Sequence, residues 1–443
     1  MENTVFVKTL GCDKNTVDSE VLIGTLLKHT YKLVNDPEDA KIIIVNTCCF
    51  IEDAKNESID TIFTYLPYRM EGNCKSFIVA GCMAQRYAHE LRDEIPEIDH
   101  FLGVNALDDV LEIAENQLER ETRAEKEERI YKEYRDERYL QKGTYTAFLK
   151  ISEGCDKYCT YCVIPQIRGR YRSREISAIL EEAAYLRSNG VTELILIAQD
   201  LTQYGSDLKD KSSLAQLLDQ IASTIDFQWI RLMYMYPEGI SRDLLEVMKK
   251  HDKICNYLDM PIQHTEDSVL KAMGRQINKK TIFDKISMIR NILPDVVLRT
   301  TIITGFPGET QESFNNMLET LDELKFERLG AFRYSQEEGT PAASFPNQID
   351  EREKERRRAM VYGQQEEITA NINKSLVGDT ILVLVEDLDD GIYQGRTYGD
   401  APDIDCAVLI DHDDLEIGQF YPVKITQSMG FDLIGELNNE FTK

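Results

Sequence analysis

Three cysteines crowd one short stretch of this chain, SEGCDKYCTYC, at Cys155, Cys159 and Cys162. Their CxxxCxxC spacing lets three thiolates hold three irons of a four-iron, four-sulfur cluster. A cubane has a fourth iron, which this stretch leaves without a protein ligand. An open metal position marks a reaction site, whereas an electron carrier normally has every ligand place filled. The spacing alone also admits a zinc site with a remote fourth ligand, or three cysteines close by chance.

The remaining cysteines bear on where such a site sits. Residues 1–120 read as short strands alternating with helices. TVFVKTL runs to Gly11 and Cys12, KIIIVNT to Cys48, and KSFIVAGC ends at Cys82. β-Branched apolar runs separated by helical stretches predict a parallel sheet in an α/β domain. The carboxyl ends of such strands share one edge, where ligands bind. Cys12, Cys48 and Cys82 are therefore expected to meet as a second three-thiol site with one open iron. Buried cysteines also serve as small hydrophobes. Cys49 is a rival to its neighbour Cys48, and Cys74 precedes its strand and reads as packing.

Residues 121–142 are dense in charge and read as a linker or exposed helix. From 143 to 373 the strand-then-helix pattern repeats through TAFLKIS, ELILIAQD, WIRLMYM, YLDMPIQ, VVLRTTIITGF and RLGAFRY. This predicts a partial β/α barrel with its chemistry at the carboxyl ends of the strands. A helical stretch, EREKERRRAMVYGQQEEITANINKSL, closes it. Residues 374–443 read as short antiparallel strands forming a small β-barrel.

The chain has 443 residues, 42% hydrophobic and 29% charged, with ten cysteines. No run spans a bilayer, and the start MENTVFVKTLGCDKN lacks a basic region followed by an apolar one. A cytoplasmic protein is expected, its cysteines serving metal or redox chemistry rather than disulfides. The net charge of −27 suits a basic partner better than a phosphate backbone.

The motifs TLGCDKN, NTCCFIEDAK, VAGCMAQR, SEGCDKYCTYCVIPQIRGRYRSR, IAQDLTQYG, PIQHTEDSVLKAMGR, TTIITGFPGET and RYSQEEGTPA together resemble the radical S-adenosylmethionine (SAM) methylthiotransferases over essentially the whole chain. That family joins an amino-terminal three-cysteine domain, a radical-SAM core and a carboxyl-terminal TRAM barrel. The resemblance implies two 4Fe-4S clusters, held by Cys155, Cys159 and Cys162 and by Cys12, Cys48 and Cys82. It also implies that SAM is split at the first of these to give a radical. The second holds a sulfur species, which another SAM methylates for transfer as SCH3. An electron donor and a sulfur donor are needed as partners.

By the same resemblance Tyr161 packs near the SAM adenine. Gly305, Pro307, Gly308 and Glu309 form a turn that approaches the cofactor. Gln199 and Asp200, past a strand end, are placed to meet SAM or substrate. Arg231 pairs with the SAM carboxylate or with a structural acid. The run Arg168, Arg170, Arg172 and Arg174 either holds anions or is a solvated helix start. Gln263 and His264 end a strand on the reactive face, and His264 is read as a satisfied core residue. The chain departs from the family pattern at Asp13, where proline is common, and at Cys49 and Cys406, where glycine is common. Register with the family selects Cys48 over Cys49.

The family contains tRNA adenosine modifiers and a branch that modifies an aspartate of small-subunit ribosomal protein twelve. The TRAM segment GRTYGDAPDIDCAVLI resembles the ribosomal-protein branch. From Lys374 onward there are fifteen Asp and Glu against four Lys and Arg. That acidity should repel RNA and attract a basic ribosomal protein, met on the ribosome, so tRNA is not the expected partner. The alternatives are a tRNA adenosine methylthiotransferase and a non-catalytic iron–sulfur factor that associates with ribosomes.

Overall fold

The computed structural model describes residues 3–115, 121–123 and 138–438. The first sheet contains β1 (Asn3–Thr9), β2 (Tyr31–Leu33), β3 (Ile42–Thr47), β4 (Ser76–Gly81), β5 (His100–Leu102) and β6 (Glu121–Arg123). All its pairs are parallel, in the order β2-β1-β3-β4-β5-β6. The central strands β3 and β4 are buried along their whole length. That is why they read as unbroken apolar runs instead of alternating ones. The three-residue strands β2, β5 and β6 are too short for a periodic signal. The last of them carries this sheet beyond residue 120. Most of the charged stretch 121–142, residues 124–137, lies outside the described residues.

The second sheet holds β7 (Thr146–Lys150), β10 (Glu193–Ile197), β11 (Trp229–Leu232), β12 (Ile254–Asp259), β13 (Val297–Thr304) and β14 (Arg328–Arg333). It is parallel and ordered β14-β13-β12-β11-β10-β7, the expected partial barrel. A two-stranded pair, β8 (Ser152–Glu153) with β9 (Arg172–Ser173), closes the base of the loop that carries Cys155. The helix Glu351–Ser375 packs beside β14. Its aspartate N-cap, Asp350, accepts from the amides of Arg352 and Glu353.

Strands β15 (Thr380–Asp389), β16 (Ile392–Thr397), β17 (Val408–Asp411), β18 (Phe420–Met429) and β19 (Asp432–Leu437) form a closed barrel. The pairs are antiparallel, as expected, except β17 with β19, which is parallel. Residues from both flanking domains fill the inner face of the partial barrel. Val17 comes from the first domain, and Leu384 and Ala401 come from the closed barrel, to join Ile195, Trp229 and Tyr257 in one buried cluster. No helix among the described residues is long and apolar enough to cross a membrane.

Candidate metal centre and reaction site

The parallel register sets out the first thiol triad. Thr9 pairs with Asn46, and Thr47 pairs with Gly81. Cys48 and Cys82 thus leave adjacent, paired strands at the same level. Cys12 caps the helix α1 (Asp13–Lys28), and Cys82 opens the helix α3 (Cys82–Glu94). Helix amino termini favour thiolates. Gly11 and Gly81 turn the chain there at φ 91° and 90°. A Cβ on Gly11 would stand 2.7 Å from Cys48 Cβ, and one on Gly81 would stand 2.2 Å from Asn46 Oδ1. Neither position has room for a side chain.

Buried polar groups hold these turns. Asn15 donates to the carbonyls of Leu10 and Thr47, at 2.9 and 3.0 Å. Ser58, from the helix α2 (Glu52–Met70), accepts from the Cys48 amide at 3.0 Å and donates to its carbonyl at 2.8 Å. Burial pushes the Cys82 thiol up to about 12, with Cys12 and Cys48 adding to the rise and Arg168 opposing it. Cys48 rises for the same first reason, with Cys12 beside it. Cys49 is fully buried in the apolar cluster with Leu10 and Val79. Its thiol is raised by burial and by Cys82 and Cys48, and it lies beside Arg86.

The second triad lies in the loop between β8 and β9. The Cys155 amide donates to Gly169 O at 3.1 Å, and the Cys162 amide donates to Cys159 O at 3.0 Å. Gly154 has φ 80°, and a Cβ there would lie 2.0 Å from Arg170 O. Tyr158 takes a left-handed φ of 49° in the same loop, a strained conformation for an aromatic residue. Burial pushes Cys155 up to about 11. Cys162 is raised by burial and by its two partner thiols.

Each triad fits an iron–sulfur cluster in its donor chemistry. The thiols are grouped and mostly buried, and iron would displace their protons, since metals bind thiolates. Among the described residues no three His, Cys, Asp or Glu side chains close on a single ion.

A buried network of charges lies between the triads. Arg168 donates to Asp18 at 2.9 Å, Glu153 at 3.1 Å and Asn15 at 2.7 Å, and its Nη2 lies 3.6 Å from Cys82 Sγ. Lys150 reaches Asp18 at 2.6 Å and Glu153 at 2.7 Å. Burial would raise the Glu153 carboxyl, but Arg168 and Lys150 hold it well below the usual range. Asp18 belongs to α1, and Glu153 immediately precedes the second triad's loop.

The other expected residues divide. Tyr161 packs against the cluster of Met273, Phe306 and Tyr334, and its hydroxyl is raised by burial and by nearby Cys159. Gln199 donates to Glu153 at 2.7 Å. Gly308 has open space where a Cβ would stand.

Asp200 is fully buried, and its carboxylate accepts from the Thr202 amide and hydroxyl. Its second oxygen lies 3.5 Å from the Lys157 ammonium. Glu309 is turned inward. It accepts from the Gly305 amide at 2.8 Å and pairs with Arg357 at 2.7 Å. Gly305 is required by Lys354, whose Cγ would be 2.3 Å from a Cβ.

For Arg231 the structure takes the structural of the two readings. Its guanidinium is fully buried against Glu193 at 2.9 Å and Tyr398 O at 2.7 Å, beneath the closed barrel. The reason is the long-range packing of the carboxyl-terminal barrel. His264 is fully buried and its Nδ1 accepts from the Glu266 amide at 3.0 Å, but its buried Nε2 has no hydrogen-bond partner among the described residues, so the ring is only half satisfied. Of the arginine run, Arg168 and Arg174 are buried and Arg170 is exposed. Arg174 pairs with Glu182 at 2.6 Å.

Arg275 was not singled out by the sequence, although it ends the motif PIQHTEDSVLKAMGR. It lies 4.1 Å over the Tyr236 ring. Its Nη2 donates to Pro261 O at 2.8 Å. Its buried Nε and Nη1 have no hydrogen-bond partner among the described residues. Tyr236 in turn places its hydroxyl 3.7 Å from Cys159 Sγ. The stacking and the unpartnered donors are properties of the fold that no local spacing reveals.

Residues 149–321 match the Radical SAM superfamily, which sets the class of this protein. Residues 4–103 match the Uncharacterized protein family UPF0004, and residues 377–437 match the TRAM domain. The radical S-adenosylmethionine methyltransferase TsrM from Kitasatospora setae shares the fold. Its TM-score is 0.58 at 13% identity, covering 89% of this chain and 77% of that one. The ribosomal protein uS12 methylthiotransferase RimO of Clostridioides difficile is 46% identical over 98% of both chains. RimO of Lachnoclostridium phytofermentans is 45% identical over 97% of this chain and 99% of its own. The chain belongs to the uS12 methylthiotransferase family.

Proposed function

We propose that this protein is a radical-SAM methylthiotransferase that inserts SCH3 at the β-carbon of an aspartate in ribosomal protein uS12, using two 4Fe-4S clusters. The observation that carries the reading is the pair of three-thiol sites joined by the buried network of Asp18, Lys150, Glu153 and Arg168. An unactivated carbon–hydrogen bond is beyond a side-chain base, so the reaction needs radical chemistry, which SAM and its cluster supply when bound.

The chain's own part is binding, orientation and exclusion of water. Cys155, Cys159 and Cys162 hold one cluster, and Cys12, Cys48 and Cys82 hold the other. The free Nε–H and Nη1–H of Arg275 meet the SAM carboxylate, in the place first considered for Arg231. Tyr161 flanks the cofactor, and Gln199 and Gly308 line its approach. Lys157 sits at the mouth of the cluster loop, held by Asp200 and by Glu238 at 3.2 Å. Tyr234 closes the side toward the first triad. Its hydroxyl lies 3.2 Å from Asp13, and the Lys14 ammonium lies 2.9 Å from its ring centroid.

The acidic TRAM barrel favours a basic protein substrate, with part of that charge turned inward. Asp400 pairs with Arg328 at 2.8 Å and Asp405 with Arg299 at 3.2 Å. Glu386 is likewise held by Arg396 at 2.7 Å, and exposed acids such as Asp389, Asp390 and Asp411 are offered to a partner. The electron donor, the sulfur donor and the ribosome as site of action belong to the same reading, as does a cytoplasmic location.

The test is a direct comparison of substrates. Anaerobically reconstituted protein receives SAM, sulfide and reductant with small ribosomal subunits or with unmodified tRNA. Mass spectrometry should find an added SCH2 on a uS12 aspartate peptide. Methylthioadenosine in tRNA, with uS12 unmodified, would move the enzyme to the tRNA branch. No 5′-deoxyadenosine with either substrate would make it a non-catalytic factor.

A further inference from the structure

We propose that Arg168 is a positioning residue that sets the reduction potential of the cluster at Cys12, Cys48 and Cys82 and ties that cluster to the second triad. The inference rests on the two-cluster reading above. Arg168 grows from the segment that follows Cys162, yet its guanidinium is buried in the first domain's site. Its Nη2 lies 3.6 Å from Cys82 Sγ and donates to Asn15 Oδ1 at 2.7 Å. Its Nη1 bridges Asp18 and Glu153 at 2.9 and 3.1 Å. The fork geometry of arginine lets one group meet four partners, which the point charge of lysine does not do.

The two carboxylates fix the guanidinium in place, and Lys150 shares both of them. Two cations and two anions leave this buried network neutral, so Arg168 is oriented toward sulfur without an uncompensated charge. An N–H donated to a cluster sulfur withdraws electron density and favours the reduced, more negative cluster. The second triad lacks this contact. Cys159 has a phenol, Tyr236, at 3.7 Å, and among the described residues no arginine hydrogen bond to its sulfurs is present. One arginine therefore distinguishes two sites with otherwise similar ligands. Through Glu153, which precedes Gly154 and Cys155, it also fixes how the two loops stand to one another.

The experiment isolates each cluster. In a C155A/C159A/C162A background only the first triad can load. Potentiometric titration with dithionite, followed by electron paramagnetic resonance, gives its midpoint potential. Arg168→Lys should keep iron content and shift that potential negative. In a C12A/C48A/C82A background the same substitution should leave the potential of the other cluster unchanged. Because loss of Arg168 leaves two buried carboxylates to Lys150 alone, the double variant D18N/R168Q, which removes one charge of each sign, is measured in parallel. An unmoved potential in loaded variants, or equal shifts in both backgrounds, would overturn the proposal. Failure of both variants to fold would make Arg168 a scaffold residue and also overturn it. If the C155A/C159A/C162A protein with native Arg168 binds no cluster, the two-cluster reading itself fails, and it fails separately from the effect of the arginine.

Discussion

Arg168 and Cys82 are 86 residues apart in sequence, and their side chains lie 3.6 Å apart. The contact joins the radical-SAM core to the amino-terminal domain at the level of their cysteines. The proposed use of two clusters on one substrate calls for such a junction, because small errors of placement between reacting groups are costly in rate.

The two triads should separate by function. Cys159→Ala is expected to abolish release of 5′-deoxyadenosine. Cys82→Ala should retain part of that release and lose SCH3 transfer. Chromatography of the nucleoside and mass spectrometry of the substrate read the two outcomes, and full product from the Cys82 variant would refute the division of labour.

Ser58 makes both backbone hydrogen bonds of Cys48. Ser58→Ala leaves a buried amide unpaired and should cost about 1–3 kcal/mol. Denaturant unfolding of the apoprotein gives that loss, and iron analysis should show reduced loading of the first triad alone. Loading reduced equally at both triads would mean a general destabilisation.

Arg275 has two unpartnered buried donors. If they hold the SAM carboxylate, Arg275→Gln removes charge-assisted hydrogen bonds worth about 1.5–3 kcal/mol each. SAM affinity, measured by equilibrium dialysis on the reconstituted protein, should fall at least tenfold. Unchanged affinity would exclude Arg275 from the cofactor site.

Glu193 carries two buried arginines, Arg231 at 2.9 Å and Arg396 at 2.6 Å, and they hold its carboxyl down at about 2 against the opposing effect of burial. Arg396 keeps Glu386 at 2.7 Å, but Glu193→Gln leaves the buried Arg231 without a carboxylate and should destabilise the seam between the barrels by about 3–5 kcal/mol. Limited proteolysis should then release the carboxyl-terminal barrel first. Resistance equal to that of the unaltered protein would show that the ion pairs do not hold the seam.

His264 gives a pH signature. Burial, with Arg357 adding to it, pushes the imidazole down to about 3, while an unfolded histidine titrates near 6.5. Glu309 lies 3.7 Å away, too far to reverse that shift. The unfolded chain therefore takes up the proton first. The stability from a neutral His264 is complete above about pH 6.5 and is lost as the pH falls toward about 3. Between about pH 6 and about pH 4 the native protein should lose up to about 1.4 kcal/mol per pH unit more than His264→Gln. Equal slopes in denaturant titrations would show that His264 is not the linked group.

Much of this protein was legible locally. CxxxCxxC points to a three-thiol site by its spacing, and the flanking motifs select the iron–sulfur reading over zinc. Buried parallel strands read as apolar runs, so the ends at Cys12, Cys48 and Cys82 could be placed on one edge before any coordinates. Short strands such as β2 and β5 were not legible, because three residues carry no period. What tertiary structure alone decided is which partner each long polar side chain finds. Arg231 and Arg275 are both arginines in the barrel region, and nothing nearby in sequence distinguishes them. The closed barrel seals Arg231 against Glu193, while Arg275 keeps free donors beside Tyr236. Asp400 and Asp405 looked like acids offered to a partner, and two barrel arginines neutralise them. Backbone periodicity is a local property, whereas the pairing of buried charges depends on distant segments, because a charge removed from water must find its counterion wherever the fold supplies one.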